Sequence, residues 1–289
     1  MQTIQIELTE LCNFNCNICY LERKDASRIT ANFANELAEL AEKHGFSKID
    51  ITGGEPTIHP EFNKIYRIFR DKGYIVSIYT NGSNLSNKVI DCFRYMMPHQ
   101  VEITLYGMTE ETYHKVTGKA GMFSRVMSNI EWLLKSGAIL FLKFHLTTDS
   151  FHESHIFQQF ARDRNVQHGF NAQIIPMLNG NMSPITKRLS PEILKELEVK
   201  LNIPLSQTKG SPSGCDAGKA LYITSQGLVR GCTILTKGEM LIDQSKPGDS
   251  FKKMRELFVD FHKRKNSKYC TAWINLEGEE NVKNFVDAV

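Results

Sequence analysis

Gln100-Val101-Glu102-Ile103-Thr104-Leu105 alternates polar with apolar side chains. Successive side chains of a strand face opposite ways, so this period of two predicts a strand with one apolar and one polar face. The alternation recurs on both sides of it. Ile4, Ile6 and Leu8 alternate with Glu7 and Thr9, and Ile49 and Ile51 with Asp50 and Thr52. Leu142, Phe144 and Leu146 alternate with Lys143, His145 and Thr147, and Phe170, Ala172 and Ile174 with Asn171 and Gln173. Strands are expected at 3–8, 48–52, 74–80, 100–105, 139–146 and 170–176, with helices between them at 30–44, 62–72, 86–95, 122–135 and 154–164. Such strand–helix units in series predict a parallel sheet with helices outside, an α/β fold. It reads as a partial (β/α)6 TIM-like barrel, short of the eight strands that close a full one. A closed barrel packs branched aliphatics inside; the polar face here predicts an open cavity that accepts ligands. An antiparallel sheet with a solvated face is the alternative, disfavoured by the intervening helices.

The balance of 35 basic and 32 acidic residues, net +3, gives no argument for a nucleic-acid or membrane partner. No apolar run approaches the roughly 20 residues of a spanning helix. The opening residues alternate instead of forming an apolar signal core, so a cytoplasmic location is expected. In that reducing compartment the seven cysteines point to metal or redox chemistry rather than disulfides.

Three of them share one run, Leu11-Cys12-Asn13-Phe14-Asn15-Cys16-Asn17-Ile18-Cys19-Tyr20. Structural zinc sites draw four ligands, usually in close pairs. Three thiolates without a local fourth suit a cubane iron–sulfur cluster with one iron left open. One strand–helix unit later comes Thr52-Gly53-Gly54-Glu55-Pro56-Thr57, a turn with a carboxylate at a strand end. Cys92 sits among Val89, Ile90 and Phe93 and reads as a small core residue.

The CxxxCxxC spacing followed by an aromatic, together with Gly-Gly-Glu-Pro, resembles the radical S-adenosylmethionine (radical SAM) superfamily. The resemblance implies a 4Fe–4S cluster on Cys12, Cys16 and Cys19 whose open iron chelates S-adenosylmethionine. It implies reductive cleavage to a 5′-deoxyadenosyl radical that abstracts hydrogen. It assigns Gly53, Gly54, Glu55 and Pro56 to the methionyl ammonium group, Tyr20 to the adenine, and Thr80 and Asn81 to the cofactor's surroundings. Thr104 becomes a ribose contact and Lys115 a partner of the methionyl carboxylate, with a surface lysine as the plainer reading. His145 and Lys143 project into the cavity, where His145 is either a cofactor contact or a hydrogen-bonded core histidine.

After residue 176 the pattern changes. Ser190-Pro191-Glu192 starts a helix running to about residue 201, and 206–214 is a Ser/Gly/Pro linker. A hairpin is expected at 220–224 and 228–230 around Ser225-Gln226-Gly227, then helices near 250–265 and 279–289. The expected domains are 1–205, a core with its connecting helix, and 206–289, a small α+β extension. Cys215, Cys232 and Cys270 with that hairpin resemble the short "twitch" form of the SPASM extension, which implies one auxiliary iron–sulfur cluster. Its fourth iron is left open or held by a group such as Asp216 or His262. If they are not ligands, Cys232 and Cys270 are candidate hydrogen donors.

The resemblance implies an external electron donor such as flavodoxin or ferredoxin. It favours a ribosomally made peptide as substrate, crosslinked, epimerised or oxidised. The chain opens directly on its first strand, so no leader-binding domain is expected ahead of it, and a separate protein could present a leader. A small sugar-like, aminoglycoside-like or amino-acid substrate is the alternative. A non-catalytic iron–sulfur or zinc protein is the reading from another class.

Overall fold

The computed structural model describes residues 2–22, 27–203, 205, 220–233, 240–241, 249, 252–253 and 280. Parallel strands and helices alternate from the first residues onward: β1 (Gln2–Glu7), α1 (Ala31–Lys43), β2 (Phe46–Thr52), α2 (Phe62–Asp71), β3 (Ile75–Thr80), α3 (Asn87–Tyr95) and β4 (Gln100–Leu105). Two helices, α4 (Glu110–Thr117) and α5 (Met122–Lys135), precede β5 (Leu140–His145); α6 (Ser154–Asp163), β6 (Gln167–Asn171) and α7 (Pro191–Leu201) follow. The hairpin is β7 (Ala220–Ile223) and β8 (Leu228–Arg230), with β9 (Met240–Leu241) beside it.

Among the described residues these strands form one open sheet in the order β6-β5-β4-β3-β2-β1-β7-β8-β9. The pairs from β6 through β1 to β7 are all parallel, and β7–β8 and β8–β9 are antiparallel. The hairpin thus continues the main sheet: β7 lies on β1, with Ile4 opposite Leu221 and Ile6 opposite Ile223. Residues 206–219, which include the expected 206–214 linker, lie outside the described residues, as do His262, Cys270 and, apart from 252–253 and 280, which are helical, the two expected terminal helices; Cys215 and Asp216 fall within 206–219.

Register explains the two faces. Ile4, Ile6, Ile49, Ile51, Val76 and Ile78 have no exposed surface and face the helices. Burying each such side chain stabilises the fold by about 1.5–3 kcal/mol. The helices meet them with matching stripes, such as Ala34, Leu37, Ala38 and Ala41 of α1, whose first turn is capped by Thr30 accepting from the Phe33 amide at 3.2 Å. The opposite face carries Glu7, Asp50, Ser77, Glu102 and Lys143, and Lys143 forms an ion pair with Glu102.

Two expectations shift. The sixth strand spans Gln167–Asn171 rather than 170–176, because β5 fixes its register from Phe141 opposite Gln167 to His145 opposite Asn171. The Asn171 side chain then accepts the Gln173 amide at 2.8 Å, a turn that ends the strand. Helix α4 was not expected, although Thr109 caps it, Glu110 and Glu111 open it, and Gly118 ends it in the left-handed conformation.

The junction of β1 with β7 is polar. Glu7, 1% exposed, accepts from the Tyr222 hydroxyl at 2.7 Å and from the Ser225 amide at 3.2 Å. Tyr222→Phe removes one donor from this buried carboxylate and should cost about 2 kcal/mol in urea-unfolding free energy.

Candidate active site

The three cysteines lie on a loop, residues 11–20, between β1 and α1 and without regular structure of its own. Its shape comes from its neighbours. The carbonyl oxygens in the last turn of α4 have no partners within the helix, and the loop supplies them. Asn15 N donates to Thr117 O at 2.8 Å, Asn17 N to Val116 O at 2.9 Å, and Asn17 Nδ2 to Lys115 O at 3.3 Å. At the loop's far end Leu178 N donates to Tyr20 O at 2.9 Å, and within it Cys19 N donates to Cys16 O at 3.2 Å.

The Gly-Gly-Glu turn closes on the loop's near end. Gly54 N donates to Thr9 O at 2.7 Å and Glu55 N to Leu11 O at 2.9 Å. A Cβ at Gly54 would stand 2.3 Å from both Glu10 O and Leu11 O, and one at Gly53 2.4 Å from Thr9 O. These glycines therefore admit the backbone of the cysteine loop itself.

Glu55 is fully buried and knits three segments together. Its Oε1 accepts from the Thr57 amide at 3.1 Å, the Thr57 hydroxyl at 2.5 Å and the Thr80 hydroxyl at 2.7 Å; its Oε2 accepts from Asn81 N at 2.7 Å. Burial pushes this carboxyl up, opposed by those hydrogen bonds. Asn81 passes the connection to the loop: its Nδ2 donates to Asn13 Oδ1 at 2.9 Å and to Cys12 Sγ at 3.7 Å, and Asn13 Nδ2 donates to Ser83 Oγ at 2.8 Å.

Cys16 and Tyr106 pack against the same small apolar cluster of Ile18, Val116 and Ile174. Burial first, then the charges of Cys16, Tyr113, Cys12 and Cys19, push the Tyr106 phenol well above its ordinary range. Tyr106 stacks on His145, ring centres 5.9 Å apart and 3° from parallel, and packs edge-on against Phe14 of the cysteine loop. His145 is held neutral: burial, then the charge of Lys143, lowers its pKa to about 4. Tyr20 is pushed up by burial and by Glu7 and Cys19, with a smaller push from Cys232.

Other expected residues are placed as follows. Pro56 is buried at the start of the short turn after Glu55. Thr104 is half-buried near the end of β4, opposite Lys143. Lys115, on α4, is 62% exposed and pairs with Asp149 at 2.9 Å. The sequence reading missed Asn13, Asn17, Tyr106, Asp149 and Tyr222. The run Asn13, Asn15, Asn17 threaded through the cysteines was the available signal, since Asn side chains serve irregular backbone.

The chemistry of this donor set, three soft thiols on one loop, suits an iron–sulfur cluster. Among the described residues no group of three or more His, Cys, Asp or Glu stands close enough to hold one metal ion. Cubane ligands bind separate irons and need no common point, and the three soft thiols share one loop.

Residues 6–148 match the family model described as the radical SAM superfamily. This chain belongs to the radical SAM superfamily. Membership implies a 4Fe–4S cluster and S-adenosylmethionine, for which Cys12, Cys16 and Cys19 are the thiols at hand. A probable GTP 3′,8-cyclase of Saccharolobus solfataricus is 29% identical over 145 residues, 48% of this chain and 46% of that one. One of Metallosphaera sedula is 29% identical over 137 residues, 45% and 42%. The chain thus spans under half the length of these relatives. In fold, it resembles Streptococcus suis SuiB bound to S-adenosylmethionine, TM-score 0.75, at 14% identity, covering 92% of this chain and 69% of SuiB. It also resembles anSMEcpe bound to AdoMet and the Cp18Cys peptide, TM-score 0.65, at 13% identity, covering 99% and 98%. No described helix of this radical SAM chain is long and apolar enough to cross a membrane.

Two measurements probe this geometry. Gly54→Ala forces the cysteine loop off the turn and should cost about 3 kcal/mol, read as a lowered thermal midpoint. His145 is neutral in the fold but protonates below its ordinary 6.5 once unfolded, so between pH 6.5 and about 4 the unfolded chain binds more protons. Its contribution is complete above pH 6.5 and is lost as pH falls, up to about 3 kcal/mol. His145→Gln should flatten that part of the stability–pH curve.

Proposed function

We propose that this protein binds a 4Fe–4S cluster through Cys12, Cys16 and Cys19, cleaves S-adenosylmethionine reductively, and acts on a ribosomally made peptide. The observation that carries the first part is the loop itself: three thiols on one short stretch, locked at one end by Gly53-Gly54-Glu55 and at the other by α4. When bound, the cluster and S-adenosylmethionine supply an electron-driven C–S cleavage and a hydrogen-abstracting 5′-deoxyadenosyl group, with flavodoxin or ferredoxin as electron source.

The chain's own residues bind, orient and exclude water. Glu55 holds Thr57, Thr80 and Asn81, so the end of β3 is rigid beside the loop. We assign Gly53, Gly54, Glu55 and Pro56 to the methionyl end, Thr104 to the ribose and Tyr20 to the adenine. Glu55 is tied within the protein, so its share is chiefly to present backbone groups of the turn. Lys115 already pairs with Asp149, so a methionyl carboxylate would share its ammonium group. His145, neutral and half-buried, offers a hydrogen bond without a charge. Tyr106 and Phe14 shield the loop with apolar surface.

The peptide reading is supported by the fold shared with SuiB, also solved with precursor peptide SuiA, and with peptide-bound anSMEcpe. Residues 206–289, with Cys215, Cys232 and Cys270, form the proposed auxiliary-cluster unit. The relatives named as probable GTP 3′,8-cyclases favour a second reading, a small-molecule substrate.

Anaerobic reconstitution followed by dithionite and S-adenosylmethionine should yield 5′-deoxyadenosine, and Cys16→Ala should lose both bound iron and product. Product formation that survives in Cys16→Ala would sink the proposal. The mass change of candidate peptides or nucleotides after turnover separates the two substrate readings.

A further inference from the structure

We infer that Asp149 is the positioning residue that fixes the cysteine loop on the barrel, acting through Asn17. The inference rests on the reading of Cys12, Cys16 and Cys19 as cluster ligands. The Asp149 side chain is 6% exposed and gathers donors from three segments distant in sequence: Lys115 Nζ on Oδ1 at 2.9 Å, Lys187 Nζ on Oδ2 at 2.8 Å, and Asn17 Nδ2 on Oδ2 at 3.3 Å. A carboxylate this deep stays charged only with such partners. Two lysines neutralise it and leave Asn17 as the contact that leads to the sulfurs.

The carboxylate is itself held in place. Asp149 N donates to Thr147 Oγ1 at 3.1 Å, and Ser150 Oγ donates to His145 O at 2.6 Å, hanging this turn from the end of β5. Four residues further on, the buried Glu153 accepts from Met108 N at 2.5 Å, Thr109 Oγ1 at 2.6 Å and Thr112 Oγ1 at 2.8 Å. One stretch after β5 therefore grips α4 at both ends. The last turn of α4 in turn carries Asn15 and Asn17. Asn17 lies between Cys16 and Cys19, so its seating sets how the second and third sulfurs are presented.

Amide hydrogen exchange tests this on the anaerobically purified protein, the single variants Asp149→Ala, Asp149→Asn and Asn17→Ala, and the Asn17→Ala/Asp149→Ala double variant. The Asn15 and Asn17 amides should exchange about tenfold faster in Asp149→Ala and Asn17→Ala, the loss of one charge-assisted contact. The double variant should exchange no faster than either single one, and Asp149→Asn, which keeps a carbonyl acceptor, should fall between. Iron release to a chelator should rise by a similar factor. Unchanged exchange at Asn15 and Asn17, an equal rise at the β2 amides, or multiplied effects in the double variant would overturn the positioning role. If exchange responds as expected but the wild type takes up no iron, the clamp stands and the cluster reading falls.

Discussion

The site depends on one exchange of hydrogen bonds: the last carbonyls of α4 need donors, and the cysteine loop has amides to give. A helix end left dry costs free energy, and so does an irregular loop that buries its own amides. Docking the two satisfies both and fixes the sulfur-bearing residues in the same step. The Gly53-Gly54 contact repeats this at the other end, where Thr9 O and Leu11 O receive the turn's amides. Between these two seams the loop needs no secondary structure of its own.

Buried carboxylates do the joining where apolar packing cannot. Glu7, Glu55, Asp149 and Glu153 all lie at or beyond the C-terminal ends of strands, where the chain turns and backbone groups lose their ladder partners. Each collects donors from chain distant in sequence, and each has two oxygens able to take several at once. Leucine in the same place could fill the space but could not hold an amide. The cost of burying the charge is offset by directional contacts, which makes these residues sensitive to loss of a single partner.

Periodicity made most of this fold legible. The strands at 100–105 and 48–52 and helix α5 could be read because each keeps one face in the core. The sixth strand was misplaced because its alternation runs on past Asn171, while its pairing with β5 and the Asn171 turn stop it there. Helix α4 escaped notice because its eight residues are short and mostly polar, although its cap and terminal glycine were in view. The cysteines and Gly-Gly-Glu-Pro pointed to the radical SAM superfamily, which the family match bears out. Sequence spacing could not show that Gly54 faces the cysteine loop's backbone, or that Asp149 meets Asn17 from 132 positions away. Such contacts follow from which strand ends the topology brings together, not from any local pattern.

The placement of β1 between β2 and β7 also bears on how the molecule comes to exist. Glu7 and Tyr222 are separated by 215 positions, so β1 emerges in synthesis long before its second neighbour. Until then one rim of a parallel strand waits unpaired, with the cysteine loop hanging from its end. Closing so long a span costs only slightly more entropy than closing a shorter one, but it slows the search. Maturation is therefore ordered: the thiol-bearing loop can be seated on α4 and Asp149 once residue 187 is made, ahead of the hairpin that seals its flank.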